Sequence, residues 1–311
     1  MGNLPPDIII HILSRLPVKS LLRFKCVCKS WCSIISDPQF IRTHLNLARE
    51  RLILTSPSLR SFYSVRYEEN NDAIAVELDF PVEKNSYDEV TYFGSCNGLL
   101  CLSPEPDTFL LFNPSTRESR KVPKVKNDCF PFSRYLTRAF THGFGYDHSV
   151  DDYKFVKIAL GIYVLVYSLK TNTWKGVQDF PYNSHGSDPE KPLNGALHWI
   201  VSRTEDWQES QLIGAYDLAE EKFQDSFPPF SAKNFYVIEV LGGCLCILAG
   251  TVLTSRNDFW VMKEYGRRES WTKVVITISY SHMKPLGFLK EDEALLELHL
   301  SSLRLAGLKA R

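Results

Sequence analysis

Leu4-Pro5-Pro6-Asp7-Ile8-Ile9-Ile10-His11-Ile12-Leu13-Ser14-Arg15-Leu16-Pro17 reads as a single helix with a marked start and a marked stop. Prolines suit a first helical turn, whose N–H groups have no partner in the helix, and Asp7 suits the positive end of the helix dipole. Leu4, Ile8, Ile9, Ile12, Leu13 and Leu16 recur at helical offsets, which predicts one broad apolar face. Pro17 ends that helix, and Val18-Lys19-Ser20-Leu21-Leu22 reads as a short link. Phe24, Val27, Cys28, Trp31, Ile34 and Ile35 then repeat the helical spacing until Ser36-Asp37-Pro38 breaks it. A last short helix is expected from Gln39 to Leu45. A unit of about 40 residues is near the smallest that folds without metal, disulfides or a partner. Its apolar stripes exceed what it can bury alone, so something else has to cover them.

Charge sets the same segment apart. Within residues 1–45, Arg15, Lys19, Arg23, Lys25, Lys29 and Arg42 stand against Asp7 and Asp37, a net of +4 in a chain that totals zero. The remaining residues therefore carry −4. A basic module beside apolar anchors suits an acidic partner and speeds encounter more than it adds affinity. Each lysine taken singly reads more readily as part of a solvated helix face.

Three pieces of this stretch carry a family resemblance: Leu4-Pro5 at a helix start, Leu16-Pro17-Val18-Lys19-Ser20-Leu21 at the following turn, and Arg23-Phe24-Lys25-Cys26-Val27-Cys28-Lys29-Ser30-Trp31 beyond it. Together they resemble the F-box of the large plant families. That resemblance implies docking by a helix face onto the Skp-type adaptor of a cullin–RING ubiquitin ligase, with the cullin reached indirectly. Carried over by motif position, Leu4, Pro5, Ile8, Ile9, Leu13, Leu16, Pro17, Leu21, Val27 and Trp31 are the candidates for adaptor binding and for the core of the module, a list the sequence does not divide.

With 311 residues and 44% hydrophobic content, the chain is long enough for one small and one large domain, expected at 1–45 and 46–311. Neutral charge and the lack of a basic stripe interleaved with aromatics argue against nucleic-acid binding. The longest uncharged apolar run, Ile158 to Leu169, falls short of the roughly 20 residues that span a bilayer, so no membrane partner is expected. No signal-peptide pattern is present, and Pro6 spoils a myristoylation signal. The cysteines fall at 26, 28, 32, 96, 101, 129, 244 and 246. Neither Cys26-x-Cys28 nor Cys244-x-Cys246 has a zinc-pair gap, and Cys244 and Cys246 alternate along an apolar strand, so free thiols in a reducing compartment are expected, in cytoplasm, nucleus or both. Neither cofactor nor metal is expected.

From Arg51 onward short β-rich runs replace helical periodicity: Leu52 to Leu54, Leu99 to Leu102, Phe155 to Ile158, Tyr163 to Tyr167, Leu197 to Val201 and Leu245 to Leu248. A two-part unit recurs among them. Its first part is a glycine turn before an apolar strand, at Asn97-Gly98, Asn194-Gly195 and Gly242-Gly243. Its second part is a bulky strand end, a polar turn and another bulky residue, at Phe112 to Arg117, Tyr167 to Trp174, Tyr216 to Phe223 and Met262 to Trp271; the starting residues stand 55, 49 and 46 apart. A period near 50 with about four short strands per unit fits a propeller blade, while other all-β folds stay open on spacing alone.

Ser95 to Cys101, Phe112 to Arg117, Gly143-Phe144-Gly145-Tyr146-Asp147 with Asp151 to Lys154, and Leu193 to Trp199 resemble the plant F-box-associated domain, a relative of kelch propellers. The fold class expected is therefore α+β multidomain: a small three-to-four-helix F-box followed by an all-β, propeller-like (kelch-type) domain. Its last blade is expected to be incomplete. Pro285 to Phe288 and Glu291 to Glu293 begin one, but Leu296 to Arg311 lacks the aromatic strand, turn and closing repeat, which would leave the Leu52 to Arg66 strands without a closing partner.

Gly94-Ser95-Cys96-Asn97-Gly98 mimics a nucleophile elbow, with His142, His148 or His198 as conceivable bases, but a strand rather than a helix follows it. Gly143-x-Gly145 lacks the third glycine of a phosphate cradle, and Asp147, Asp151 and Asp152 miss calcium-loop spacing. His198 beside Trp199 reads as packing. The resemblance thus implies a non-catalytic receptor subunit that brings an unidentified target protein to a ubiquitin-charged enzyme, as self-incompatibility and defence-related relatives do. The alternatives are an adaptor-bound scaffold, an inactive truncated paralogue, or a kelch-type propeller enzyme.

Overall fold

The computed structural model describes residues 5–48, 51–55, 61–67, 73–79, 90–105, 108–125, 140–159, 163–184, 190–203, 211–226, 235–249, 258–276, 283–290, 293–298 and 302–310. By their contacts they form two compact units, Met1–Thr91 with Asn97–Glu105 and Leu110–Lys121, and Tyr92–Cys96 with Pro106–Phe109 and Val122–Arg311.

Four helices come first: α1 Pro6–Leu13, α2 Val18–Phe24, α3 Lys29–Ser36 and α4 Pro38–Leu47. The expected link at Val18 to Leu22 is itself helical, and the second helical pattern is broken at Cys26 to Cys28. Pro17 explains this, because it stops α1 and, as the residue before the first turn of α2, also starts the next helix. Asp37 caps α4, its Oδ1 accepting from the N–H groups of Gln39 at 2.8 Å and Phe40 at 3.1 Å.

Apart from a 3-10 turn at Arg268–Ser270, the remaining elements among the described residues are strands in five sheets. β1 Leu52–Thr55, β2 Phe62–Tyr67 and β3 Ala73–Glu77 form the first, and β4 Thr91–Cys96, β5 Leu99–Glu105, β6 Thr108–Asn113 and β7 Glu118–Val122 the second. β8 Phe140–Asp147, β9 Asp152–Ala159, β10 Tyr163–Ser168 and β11 Thr173–Asp179 form the third in simple up-and-down order. In the fourth, β12 Asn183–Ser184 and β13 Lys191–Leu193 both pair with β14 Ala196–Ser202, followed by β15 Leu212–Asp217 and β16 Lys222–Ser226. The fifth begins with β17 Phe235–Leu241, β18 Cys244–Ala249, β19 Asp258–Met262 and β20 Trp271–Ile276.

Two kinds of turn, both legible as the two-part repeat, build these sheets. Asn97-Gly98, Asn194-Gly195 and Gly242-Gly243 have φ of 49° and 79°, 51° and 77°, and 55° and 71°. Paired positive φ matches the twist of a two-residue hairpin, and Asn and Gly adopt it at least cost. In the second kind, the N–H of the fifth residue donates to the carbonyl of the first: Arg117 to Asn113, Asn172 to Ser168 and Glu221 to Asp217, at 2.8 to 2.9 Å. The first residue also caps the turn from its side chain, as Asp217 Oδ1 does by accepting from Ala219 and Glu220 N–H at 2.8 Å each. The bulky residues flanking each turn are then cross-strand partners, Tyr167 with Trp174 and Tyr216 with Phe223, their ring centroids 5.4 and 4.8 Å apart.

Within the second unit the fourth sheet buries both its faces against neighbours. β14 contributes Leu197, Trp199 and Val201 to a core with Val156, Ile158, Val164 and Val166 of the third sheet, and Ile200 to a core with Ile238, Leu245 and Ile247 of the fifth. Side chains alternate along a strand, so one strand serves two interfaces. This is the stacking that a blade repeat predicts.

The C-terminus carries more strand than expected. β21 Met283–Lys290, β22 Glu293–Leu298 and β23 Ser302–Ala310 are strands, and β23 pairs with both β22 and β20 to extend the fifth sheet to seven strands. Ladder pairing is a backbone property that needs no aromatic, and Leu303 and Leu305 alternate at strand period. β1 to β3 pair only among themselves among the described residues.

Candidate partner-docking surface

The helical module forms a small core of its own. Leu13, Leu21, Ile35 and Phe40 are buried at its centre, with Ile9, Leu16, Phe24, Trp31 and Ile34 packed around them. Phe24 and Trp31 meet edge to face at 5.4 Å. A ring nitrogen of His44 lies 2.9 Å from the carbonyl of Leu16, and the same ring stacks on Phe40, which ties α4 to the end of α1.

This core divides the ten candidates. Leu13 and Leu21 are buried; Ile9, Leu16 and Trp31 are half-buried around them; Pro5, Ile8, Pro17 and Val27 are exposed, Ile8 by 46% and Val27 by 60%. Leu4 lies outside the described residues. Ile12, which the apolar stripe placed with the inward residues, is 48% exposed, and Leu22, Ile41 and Leu47 join it outside. Ile8 and Ile12 are one turn apart and share a face of α1 with Pro5. Sequence reasoning missed Ile12, Leu22, Ile41 and Leu47 as surface residues, although the excess of apolar residues over one helix face was the available signal.

Arg15, Lys19, Arg23, Lys29 and Arg42 are exposed and Lys25 half-buried, and none of the six forms an ion pair among the described residues. The module thus presents both large aliphatic side chains and cations without an ion pair among the described residues.

Comparison with known proteins places the chain in a family. Residues 1–43 match the model of the F-box domain, and residues 48–296 match that of the F-box associated beta propeller domain. The chain belongs to the F-box proteins with an associated β-propeller. It is 35% identical to the F-box protein CPR1 of Arabidopsis thaliana over 97% of its own length and 81% of that protein. It is 31% identical to an F-box/kelch-repeat protein of the same plant, over 88% of this chain and 79% of that one.

The propeller motifs of this F-box protein are packing devices. A Cβ on Gly143 would lie 2.5 Å from Leu197 Cδ1, and one on Gly145 would lie 2.7 Å from Leu218 Cδ1. The Gly-Phe-Gly run therefore lets β8 approach the fourth sheet closely. Alongside it, the Lys154 ammonium is held by Asp147 at 2.8 Å and Glu221 at 3.1 Å, and also donates to the Leu218 carbonyl. Lys175 adds a second cation on Glu221 at 2.7 Å. Burial by itself would raise both carboxyls, but these partners, with Ser149 on Asp147, outweigh it and hold both below their ordinary values. Asp152 accepts from Ser168 Oγ and Lys170 N–H, and Asp151 accepts from Tyr146, so the acids at 147, 151 and 152 are engaged within the third sheet and its interface.

Cys96 ends β4, and Asn97-Gly98 turns the chain straight into β5; burial pushes its thiol up to about 12, opposite to what activates a nucleophile. His142, pushed down to about 3 first by burial and then by Lys157, sits among Phe93, Phe109 and Phe155. His198 packs as expected: its ring nitrogens lie 2.9 Å from the Lys191 carbonyl and from Tyr265 Oη. Cys246 is a buried free thiol, and Cys244 a partly buried one.

Proposed function

We propose that this protein is the substrate-recognition subunit of an SCF-type ubiquitin ligase, its F-box seated on a Skp-type adaptor and its propeller holding a target protein. The observation that carries this reading is the division within the F-box. A core of Leu13, Leu21, Ile35 and Phe40 closes the module, while Pro5, Ile8, Ile12 and Val27 remain exposed on a module of net positive charge. Exposed apolar anchors on a module of net positive charge are what an acidic partner complements. Catalysis is then by proximity: the adaptor and cullin hold the target near a ubiquitin-charged enzyme, which raises the effective concentration of its lysines. In this reading the bonds of ubiquitin transfer are made by other subunits. Such a subunit works where the ligase resides, in cytoplasm or nucleus.

Calorimetric titration with a purified Skp-type adaptor tests the reading. The wild-type protein is expected to bind, and Ile8→Asp or Val27→Asp to weaken binding by about 30-fold or more, the roughly 2 kcal/mol of an interface hot spot. Absence of binding by a folded wild-type protein overturns it. Proteins that co-purify from cells and accumulate when the proteasome is inhibited would identify targets; a stable adaptor complex with no such prey favours the scaffold alternative.

A further inference from the structure

The first sheet ends differently from the others. In β2, Phe62, Ser64 and Val65 are buried, but burial stops there: Ile74 to Glu77 of β3 are all exposed, Ile74 by 42% and Val76 by 54%. Among the described residues β3 pairs with β2 alone, and β1, at the other end of the sheet, keeps Leu52 to Leu54 half-buried. Ile74 and Val76 are two residues apart and share one face. The strands that end the second, third and fourth sheets expose polar side chains instead: Glu118 and Arg120 on β7, Thr173 and Lys175 on β11, Lys222 and Gln224 on β16. Charged and polar residues of this kind protect an edge from pairing, and the middle of β3 lacks them.

The register fixes the direction of the backbone. Leu78 N–H donates to the Phe62 carbonyl at 2.7 Å, and Val76 and Ile74 stand opposite Ser64 and Arg66. Hydrogen-bonding direction alternates along an antiparallel strand, so the N–H and C=O groups of Ala75 and Glu77 point away from β2, toward the open edge. Charge then selects the occupant. Residues 68–89 hold eight carboxylates, at 68, 69, 72, 77, 79, 83, 88 and 89, against Lys84, a net of −7 in a chain that totals zero. Two of the eight have partners on the surface: Glu77 accepts from Ser61 Oγ at 2.8 Å, and Asp79 meets Arg117 at 3.2 Å. A second copy of β3 would bring its own acidic flanks alongside and be repelled, whereas a basic segment is attracted.

We propose that the open edge of β3 takes up an extended basic segment of the target protein as an added strand. Its backbone pairs with Ala75 and Glu77, its alternate β-branched side chains cover Ile74 and Val76, and its lysines or arginines meet the acidic flanks. The inference rests on the substrate-recognition reading above and names the kind of segment recognised.

The probe is a fluorescein-labelled peptide of alternating valine and lysine, about six residues long, titrated with full-length protein and followed by anisotropy. It is expected to bind, to weaken as salt rises, and to lose about 10-fold or more in affinity when glutamate replaces lysine or when the amides facing β3 are N-methylated. Ala75→Pro removes an outward N–H and leaves the ladder to β2 intact. It is expected to lose the probe by the same factor, as is the double variant Ile74→Ser, Val76→Ser, while both unfold at the wild-type temperature and bind adaptor like wild type. Probe binding unchanged in Ala75→Pro overturns the edge, and equal binding of the valine–glutamate peptide overturns the basic occupant. A dimer in sedimentation that Ala75→Pro abolishes gives the edge to a second copy and overturns it too. Protein that binds adaptor but not the valine–lysine peptide sinks this inference alone, and protein that binds the peptide but not adaptor sinks the substrate-recognition reading while the strand site stands.

Discussion

The F-box and the propeller sheets spend their aliphatic residues in opposite ways. In α1 to α4, Ile8, Ile12 and Val27 stand 46%, 48% and 60% exposed, while in the propeller Leu197, Ile213, Tyr216 and Ile247 are fully buried. Four short helices enclose only a few side chains, so the surplus goes to the surface. A strand has two faces, and in the second unit a neighbouring sheet is available for each, so β14 hides residues on both sides. The difference teaches that exposed apolar residues mark an interface where the element cannot enclose them, and that enclosure depends on what stacks alongside.

Truncating a sealed residue should give the largest loss. Leu197→Ala is expected to cost about 2–5 kcal/mol in urea unfolding, from lost burial plus the cavity left behind. Lys154→Ala should follow at roughly 3 kcal/mol, because it leaves the buried Asp147 without its cation, while Glu221 keeps Lys175. Its pH profile carries the sign. Folded-state values of Asp147 and Glu221 are depressed, so wild type holds this contribution above the ordinary carboxylate range and loses it as pH falls through the depressed values. The variant should therefore differ most from wild type at neutral pH and converge with it in acid.

Gly143→Ala should cost about 1–3 kcal/mol, since its Cβ collides with Leu197. Combined with Leu197→Ala it should cost less than the sum, a coupling of roughly 1 kcal/mol that a double-mutant cycle reads directly. Strict additivity would deny the close approach of β8.

Glu190 sharpens the comparison from the propeller side. Burial pushes its carboxyl up to about 8, with nearby N–H groups only partly offsetting it. The folded state therefore keeps a proton that the unfolded chain has already lost, and wild-type stability should decline as pH rises from the ordinary glutamate range to about 8. Glu190→Gln should match wild type in thermal unfolding near pH 4 and exceed it near pH 8. Smallest of all, Ile8→Ser should move unfolding by less than about 0.5 kcal/mol, as at other exposed sites. A loss there as large as for Leu197→Ala would break the contrast between the two regions.

The positions read well from sequence are those whose partners are near in the chain. Asn194-Gly195 announces its turn because positive φ is a property of two residues, and Tyr216 and Phe223 announce their pairing because one tight turn joins them. Helix boundaries read less well: Val18 to Leu22 passed for a link because one proline can both stop and start a helix. At the C-terminus, the strand that lies beside β20 has no aromatic end, and only the alternation of Leu303 and Leu305 marks it in sequence.

The residues of the chain alone determined a helical module of excess apolarity, a basic charge upon it, and a β repeat near 50 residues, since periodicity, charge and turn preference are local. Tertiary structure alone decided that Leu13 faces inward while Ile8 and Ile12 face out, that Gly143 and Gly145 clear space for Leu197 and Leu218, and that Lys154 is enclosed by two carboxylates. Each of those outcomes depends on an atom contributed from far along the chain, and burial, clearance and charge pairing exist only once that atom has arrived.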